Sequence, residues 1–133
     1  MKETLAFQIV ALYKEFLSYT TKELKSLGLN FGQMPFIVYV GKHPGCTQSD
    51  LTKALRLDWG YSQRGITKLV DSGFMTKEHK EECNCYCLNL TENGESAFHT
   101  CHKVFQEWDQ MKMKNCSVEE KNEIIAFLKQ IIG

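Results

Sequence analysis

The sequence predicts a mostly α-helical fold with a small β-hairpin wing, an α+β winged helix-turn-helix with long N- and C-terminal helices. Three observations predict it. Apolar residues recur at helical spacing near both ends of the chain. Between these ends lie two shorter helical patterns, each preceded by capping residues. After Gly73 the apolar spacing changes from helical to alternating, as in a pair of strands.

The composition indicates a single folded domain, predicted to span residues 1–133. An apolar content of 43% and a charged content of 24% are those of a folded protein rather than a disordered chain. No apolar run approaches the roughly 20 residues needed to cross a bilayer. The first residues have the pattern of an amphipathic helix and not of a signal peptide. We therefore expect a cytoplasmic protein with no membrane partner.

Basic residues are concentrated in the middle of the chain. The formal net charge is zero, because 16 Lys and Arg balance 16 Asp and Glu. Residues 42–80 nevertheless hold seven Lys or Arg and four Asp or Glu, whereas residues 81–133 hold five and nine. A local excess of positive charge is typical of a surface that contacts nucleic acid.

The first two helices are predicted from periodicity and from their ends. Residues 2–27 carry an apolar residue at every third or fourth position, which predicts one long amphipathic helix. Gly28 suits the left-handed position that follows a helix. A second helix is predicted over residues 31–42, where Asn30 and Gln33 have the spacing of a capping box.

Two further helices form the predicted helix-turn-helix. Thr47 and Asp50 have capping-box spacing and begin a short helix that runs to about Leu55. Asp58 is the N-cap candidate of the next helix, and Gly73 ends it. Two helices separated by a few residues, with the second ending in glycine, are typical of this motif.

The remainder of the chain predicts a hairpin and two helices. Residues 74–80 and 83–90 alternate as two strands joined by a polar tip, so the helix-turn-helix is followed by a wing. Thr91 then caps a long helix, and Ser117 begins a capping box for a last helix that ends at Ile132.

Three stretches, HPGCTQSDLTKALRLD, ITKLVDSGF and LNLTENG, resemble the MarR family of bacterial transcriptional regulators in their order and nearly in their spacing. The resemblance covers nearly the whole chain. It implies a winged-helix DNA-binding lobe over about residues 30–90, and dimerisation helices over about 2–27 and 92–132. It also implies a homodimeric repressor of a palindromic operator in double-stranded DNA, released by a small aromatic effector.

The sequence departs from the family pattern at two places. The family's wing usually carries Asp-x-Arg near its tip, with the arginine in the minor groove, but this wing reads EECNCYC and is one residue shorter. The branch that senses organic hydroperoxides uses a cysteine in its first helix, whereas this chain has none before Cys46. That mode of sensing is therefore not transferred.

The resemblance also implies where a second subunit and an effector contact the chain. The dimer interface is expected to use apolar residues of the terminal helices, namely Leu5, Ile9, Leu12, Phe16, Ile124, Leu128, Ile131 and Ile132. An effector pocket is expected between the long helices and the DNA-binding lobe, with Phe36, Tyr39 or Trp108 in its lining.

The second helix of the predicted helix-turn-helix, which follows Asp58, is the predicted recognition helix. Helical spacing divides it into two faces. Ser62, Ile66 and Leu69 are predicted to face the core. On the outward face, Arg64 has the chemistry to pair with guanine and Gln63 with adenine. The candidate DNA contacts in the helix-turn-helix and the wing are Thr47, Gln48, Ser49, Lys53, Gly60, Tyr61, Gln63, Arg64, Thr67, Lys68, Lys77, His79 and Lys80. Of these, Lys53 and Lys68 suit phosphates.

Three of the six cysteines fall at alternate positions in the wing. Strand alternation predicts Cys83, Cys85 and Cys87 on an exposed face, and Tyr86, Leu88 and Leu90 on the face that packs on the helices. Three soft ligands suggest zinc or copper, with His79 as a fourth. Because alternate residues lie roughly 6.6–6.8 Å apart, a straight strand cannot bring all three sulfurs to one ion. Metal binding or a Cys83–Cys85 disulfide would therefore distort the wing.

The cysteine pattern leaves three interpretations open: metal sensing, sensing of oxidants, and inert thiols kept reduced in the cytoplasm. No phosphate-binding loop, GxSxG or HExxH motif is present, so the sequence does not predict an enzyme. The alternative to a DNA-binding regulator is a winged helix that binds protein, or a cysteine-based metal or thiol module without specific DNA binding.

Overall fold

The computed structural model describes residues 3–133 and has the predicted fold class, mostly helical with a small wing. The elements are α1 (Leu5–Leu24), α2 (Met34–Lys42), β1 (Cys46–Thr47), α3 (Gln48–Ala54), α4 (Trp59–Asp71), β2 (Met75–Lys80), β3 (Cys85–Leu90), α5 (Glu92–Lys112) and α6 (Val118–Ile132). No helix in the described residues is long and apolar enough to span a membrane.

Helix α1 is shorter than the predicted range of residues 2–27. Thr4 is its N-cap, since its Oγ1 accepts a hydrogen bond from the Phe7 amide at 3.1 Å. Residue 2 lies outside the described residues. After Leu24 the chain tightens into a 3-10 turn, and Gly28 follows it at φ 72°, the left-handed position predicted for it.

The predicted capping box before α2 is confirmed. Asn30 Oδ1 accepts a hydrogen bond from the Gln33 amide, and the Asn30 amide donates to Gln33 Oε1, both at 3.0 Å. The box encloses a 3-10 turn, so α2 begins at Met34 rather than at Phe31. Pro35 lies in the first turn of α2, where its missing N–H removes no intrahelical hydrogen bond.

The sheet contains one strand that the sequence does not predict. Strand β1 has two residues, too few to show alternation, and it pairs antiparallel with β3 so that Cys46 lies opposite Leu88. The strand order is β1-β3-β2. This extra pairing joins the base of the wing to the start of the helix-turn-helix.

The strands of the wing begin later than predicted. Strand β2 begins at Met75, and β3 begins at Cys85 instead of residue 83, because residues 81–84 form the turn. Asn84 adopts φ 49° in this turn, a conformation that asparagine tolerates better than most residues. The predicted placement of Cys83 on a strand is therefore wrong.

One apolar core lies between helices α1 to α5 and the two long strands. Its fully buried side chains come from five helices and both long strands, and they include Leu24, Ile37, Leu51, Ile66, Leu69, Met75, Leu88 and Cys101. Burial of one such large aliphatic side chain stabilises the fold by roughly 1.5–3 kcal/mol. Helix α6 buries no residue at all within the chain.

Candidate nucleic-acid interface

Helix α4 has the two faces that the sequence predicts. Ser62, Ile66 and Leu69 are completely buried, which confirms the predicted core face. Asp58 Oδ1 caps the helix by accepting a hydrogen bond from the Tyr61 amide at 2.8 Å. The outward residues predicted as DNA contacts are exposed, apart from the partly exposed Gly60: Tyr61, Gln63, Arg64, Thr67 and Lys68. Packing thus fixes which side chains this helix presents to the outside.

Helices α3 and α4 are joined by a hydroxyl pair as well as by apolar packing. The Oγ1 atom of Thr52 and the Oγ atom of Ser62 are 2.6 Å apart. Thr52 Oγ1 also donates to the carbonyl of Gln48 at 2.7 Å. Both hydroxyl groups of this contact are therefore satisfied, and the angle between the two helices is held by a short polar contact.

The two glycines of α4 have different surroundings. A Cβ added to Gly65 would lie 2.6 Å from Cζ of Phe36, so the helix can pack on α2 only because the side chain is absent. A Cβ at Gly60 would contact only the ends of two flexible side chains, with Arg64 Nη1 nearest at 3.2 Å. Gly65 is thus required for packing within the lobe, whereas Gly60 leaves backbone accessible from outside.

Arg64 and Lys68 separate two depressions on the outer surface of α4. One, of about 450 Å³, is lined by α4 residues from Gln63 to Ser72. The other, of about 220 Å³, lies between α4 and the turn around Asn30. Both depressions include Arg64 and Lys68, and both cations are exposed, so a negatively charged surface can approach them.

The start of α3 differs in one respect from the prediction. The capping box is confirmed, since the Asp50 amide donates to Thr47 Oγ1 at 3.1 Å and the Thr47 amide donates to Asp50 Oδ2 at 3.0 Å. Those hydrogen bonds lower the pKa of the Asp50 carboxyl. Ser49 and Lys53 are exposed, but Gln48 is only 6% exposed and its Nε2 has no partner. Gln48 is therefore removed from the candidate DNA contacts.

The wing carries an aromatic ring in contact with two side chains of the neighbouring strand β2. The Nζ atom of Lys77 lies 4.9 Å from the centroid of the Tyr86 ring, and the centroid of the His79 ring lies 5.0 Å from it. Lys80 pairs with Glu78 at 3.7 Å, an exposed ion pair of little energetic weight. Tyr86, 49% exposed, was not among the predicted contacts.

The prediction that Tyr86 packs on the helices is wrong. Leu88, two positions closer to the base of the wing, is completely buried, and Leu90 is half-buried. The outer part of the hairpin extends beyond the helices, so the same strand face is core at its base and surface near its tip. Alternation predicts which face a residue belongs to, but not where along the strand the core ends.

The wing cysteines are arranged differently from the prediction. Cys83 lies in the turn and forms a disulfide with Cys85, with the two Cα atoms 5.2 Å apart, while Cys87 remains a half-buried thiol. No group of three or more His, Cys, Asp or Glu side chains within residues 3–133 is placed to hold a metal ion. Binding of zinc or copper by Cys83, Cys85 and Cys87 requires the reduced wing and stays a prediction.

Burial distinguishes the remaining cysteines from those of the wing. Desolvation raises the pKa of the buried Cys46 thiol to about 11, and the pKa of the buried Cys101 thiol also rises to about 11. Both are therefore protonated at neutral pH and poor nucleophiles. Cys116 is an exposed thiol after α5. Redox chemistry is thus expected at the wing rather than in the core.

The three residues predicted as alternative lining of an effector pocket have different surroundings. Phe36 is buried against Gly65, Tyr39 stacks on His43 with a centroid distance of 4.3 Å, and Trp108 packs against Phe16 at 5.0 Å. Phe36 and Trp108 line separate cavities. An effector pocket between the long helices and the DNA-binding lobe, lined by Phe36, Tyr39 or Trp108, stays a prediction.

Trp108 instead lines an apolar groove of about 730 Å³ between α1, α5 and α6. The groove includes seven residues of the predicted dimer interface: Leu5, Ile9, Leu12, Phe16, Leu128, Ile131 and Ile132. Phe16 is half-buried, and each of the other six side chains is between 41% and 62% exposed. A large exposed apolar surface of this kind marks a site of association.

The chain is similar to known transcriptional regulators. No family model matches it. The HTH-type transcriptional regulator BilQ of Clostridium symbiosum is 33% identical over 98% of this chain and 92% of that protein. A MarR transcriptional regulator from Methanosarcina mazei Go1 superposes with a TM-score of 0.86 at 28% identity, covering 98% of this chain and 95% of that one. MepR of S. aureus, solved as a DNA complex, shares the fold with a TM-score of 0.88 at 19% identity, covering 98% of each chain.

Proposed function

The chain belongs to the MarR family of winged-helix transcriptional regulators, and from this we propose that it is a homodimeric repressor that binds a palindromic operator. Members of this family are regulators and not enzymes, in agreement with the absence of catalytic motifs. The observation that carries the proposal is helix α4, whose core face is completely buried while its basic, polar face is exposed. Because its target is DNA, we propose that the protein acts in the cytoplasm.

The outward side chains of α4 have the chemistry for reading the major groove. An α-helix fits this groove, and the guanidinium of Arg64 matches the O6 and N7 acceptors of guanine. The Gln63 amide next to it matches adenine. Lys68, Lys53 and Ser49 are exposed and suit phosphate contacts, which supply affinity and orientation rather than sequence preference.

The apolar groove supports a second copy of the chain as the partner. Residues of both terminal helices line it, and α6 buries none of its residues within its own chain. A second copy presents the same unpaired apolar surface, so a two-fold axis allows each subunit to cover the other. The dimer then presents two α4 helices to the two halves of a palindrome.

The wing is proposed to contact the DNA backbone beside the major groove. Tyr86 and His79 are exposed on it and contact each other, and the partly buried Lys77 contacts the Tyr86 ring. These residues take the place of the arginine that many family members carry at the wing tip. A tyrosine and a lysine provide a hydrogen bond and a charge to phosphate without reading sequence.

The wing disulfide supports control of DNA binding by oxidation. In the reduced wing, thiol–disulfide exchange with a small-molecule disulfide would form the Cys83–Cys85 bond and release two equivalents of small-molecule thiol. Formation of the bond restricts the turn over residues 81–84, next to Lys80. We propose that DNA affinity differs between the two forms. The small aromatic effector and the repressor role rest on the family resemblance.

Selection from a pool of random duplexes tests this function. The wild-type protein is incubated with the pool with and without reductant, and with zinc or copper added to the reduced protein, and the retained DNA is sequenced. Enrichment of a palindrome supports a dimeric regulator. A change of enrichment with reductant supports redox control, and a change with metal supports metal control.

Salt dependence provides an independent control for the same experiment. Phosphate contacts displace counterions, so the affinity for the selected duplex is expected to fall steeply as salt rises. The absence of any enriched sequence, together with a shallow salt dependence, would contradict DNA recognition. That result would instead favour a winged helix that binds protein, or a metal or thiol module.

A further inference from the structure

Arg56 occupies an unusual backbone position in the turn of the helix-turn-helix. It follows α3 at φ 56°, in the left-handed region where glycine is preferred. The Leu57 amide donates to the carbonyl of Thr52 at 3.0 Å, and the Arg56 amide donates to the carbonyl of Lys53 at 3.2 Å. These are the two hydrogen bonds of a Schellman motif. A residue with a Cβ costs free energy at this position, so an arginine there calls for a compensating interaction.

The side chain of Arg56 supplies such an interaction. Its Nη1 donates to the carbonyl of Ile132 at 3.1 Å, and its Nη2 donates to the carbonyl of Gly133 at 3.0 Å. The last carbonyls of a helix have no intrahelical partner, and a cation is favourable at that end of the helix dipole. The guanidinium therefore caps α6 from a position 76 residues earlier in the chain.

These two hydrogen bonds matter because few other interactions attach α6 to the rest of its own chain. Helix α6 buries no residue within its own chain. Within residues 3–133, the bonds from Arg56 are the only side-chain hydrogen bonds that connect α6 with another element, and none of the described ion pairs involves α6. The end of this terminal helix is thus held by the turn that precedes the recognition helix.

We propose that Arg56 is a positioning residue that fixes the helix-turn-helix relative to the dimerisation helices and so determines which half-site spacing the dimer accepts. The inference rests on the proposed function, because it needs a dimer on a palindrome. If α6 packs on the partner subunit, the bonds from Arg56 connect that interface directly with the turn between α3 and α4. The distance between the two recognition helices then depends on this connection.

Half-site spacing is a sensitive measure of that distance. Half-sites one helical turn apart lie roughly 34–36 Å from each other, and each inserted base pair both lengthens and rotates the second half-site. Two rigidly held lobes tolerate one spacing, whereas lobes released from the dimerisation helices adapt to several. Loss of Arg56 should therefore change selectivity for spacing more than it changes affinity for the best site.

The test compares wild-type protein with Arg56→Gly and Arg56→Lys on three duplexes: the selected palindrome, and versions with one base pair added or removed at its centre. Arg56→Gly removes the guanidinium and also relieves the positive φ, so the variant should fold. Arg56→Lys keeps the positive charge but not the planar guanidinium, whose two nitrogens donate to two acceptors at once. Lys114→Ala, which removes an exposed cation beyond α5, is the control.

For wild-type protein and Lys114→Ala, we expect Kd to rise at least about tenfold when the spacing changes, a difference of about 1.4 kcal/mol. For Arg56→Gly, we expect the ratio of Kd at a changed spacing to Kd at the selected spacing to fall to about threefold or less. The salt slope, which is the slope of log affinity against log salt concentration, should stay unchanged. For Arg56→Lys, we expect an intermediate ratio of the two Kd values.

Three results are decisive against the proposal or its premise. Arg56→Gly with the wild-type spacing ratio would overturn the inference alone. Equal weakening at all three spacings, with a salt slope reduced by about one per subunit, would make Arg56 a phosphate contact and also overturn it. Failure of the wild-type protein to select any palindrome would overturn the proposed function and the inference with it.

Discussion

The recognition helix and the wing belong to one candidate DNA surface but are held in place by different means. Helix α4 buries Ser62, Ile66 and Leu69 completely, so the lobe core determines the direction of its outward side chains. The outer wing has no such core beneath it, and its tip is closed by the left-handed Asn84 and by a disulfide. Packing therefore fixes the reading helix, whereas local covalent and turn geometry shape the wing.

The largest effect is expected from disturbing the packing of α4. Gly65→Ala places a methyl group against the Phe36 ring, 2.6 Å from its nearest atom. Overpacking of this kind costs roughly 1–3 kcal/mol, and the better helix propensity of alanine offsets about 1 kcal/mol of it. We expect a net loss of up to about 2 kcal/mol in the free energy of unfolding, measured by urea denaturation.

Gly60→Ala is the matched control for this prediction, because it makes the same change in the same helix without a clash. It should raise the free energy of unfolding by up to about 1 kcal/mol. If DNA approaches the backbone at Gly60, the same variant will bind the operator more weakly even though it is more stable. Equal stability effects at the two glycines would show that Phe36 does not determine the position of α4.

The next effect is expected at the outward face of α4. Arg64→Ala should weaken operator binding about ten- to hundredfold, since a bidentate contact with guanine contributes roughly 1–3 kcal/mol of discrimination. The free energy of unfolding should change by less than about 0.5 kcal/mol, because Arg64 is exposed. Binding is measured by gel-shift titration, with the exposed Lys114→Ala beyond α5 as the control. Equal affinities for the two variants would remove α4 as the reading helix.

The same difference between packing and local geometry explains how far the sequence predicts this structure. Capping boxes at Asn30, Thr47 and Ser117, and the buried face of α4, follow from short-range spacing, and the structure contains all of them. The burial of Gln48 could not be predicted, because the capping-box pattern marks only Thr47 and Asp50 and the amide turns inward.

Local spacing of residues in the sequence does not predict how far the core extends along a strand or which distant residues come into contact. Alternation assigns Tyr86 and Leu88 to one face, but the depth of the core, and not the period, decides that only Leu88 is buried. The contact between Arg56 and the end of α6 joins residues 76 positions apart, and no local pattern indicates such a pairing. Exposed Trp59 beside the N-cap of α4 is a further candidate contact that helical spacing alone did not single out.

Reduction of the wing disulfide is expected to have a smaller effect on stability. A bridge between residues two positions apart closes a very short loop, so its loss should lower the free energy of unfolding by at most about 1.5 kcal/mol. Amide exchange should instead increase locally over residues 81–84. The variant Cys83→Ser/Cys85→Ser should match the reduced protein, with Cys116→Ser as the control. A loss above about 3 kcal/mol would mean that the wing tip supports the core after all.

The smallest effect is expected at the Lys77–Tyr86 contact, where the two regions can be compared most directly. Tyr86→Ala removes a ring but no charge, so operator affinity should fall about two- to threefold while the salt slope stays constant. Lys77→Ala should lower affinity by a similar factor and reduce the salt slope by about one per subunit. If neither variant alters affinity, α4 alone carries DNA binding. If Tyr86→Ala also lowers the salt slope, the Tyr86 ring acts by holding the Lys77 ammonium against the DNA backbone. The wing contact is then positioned by side-chain packing, as the outward face of α4 is.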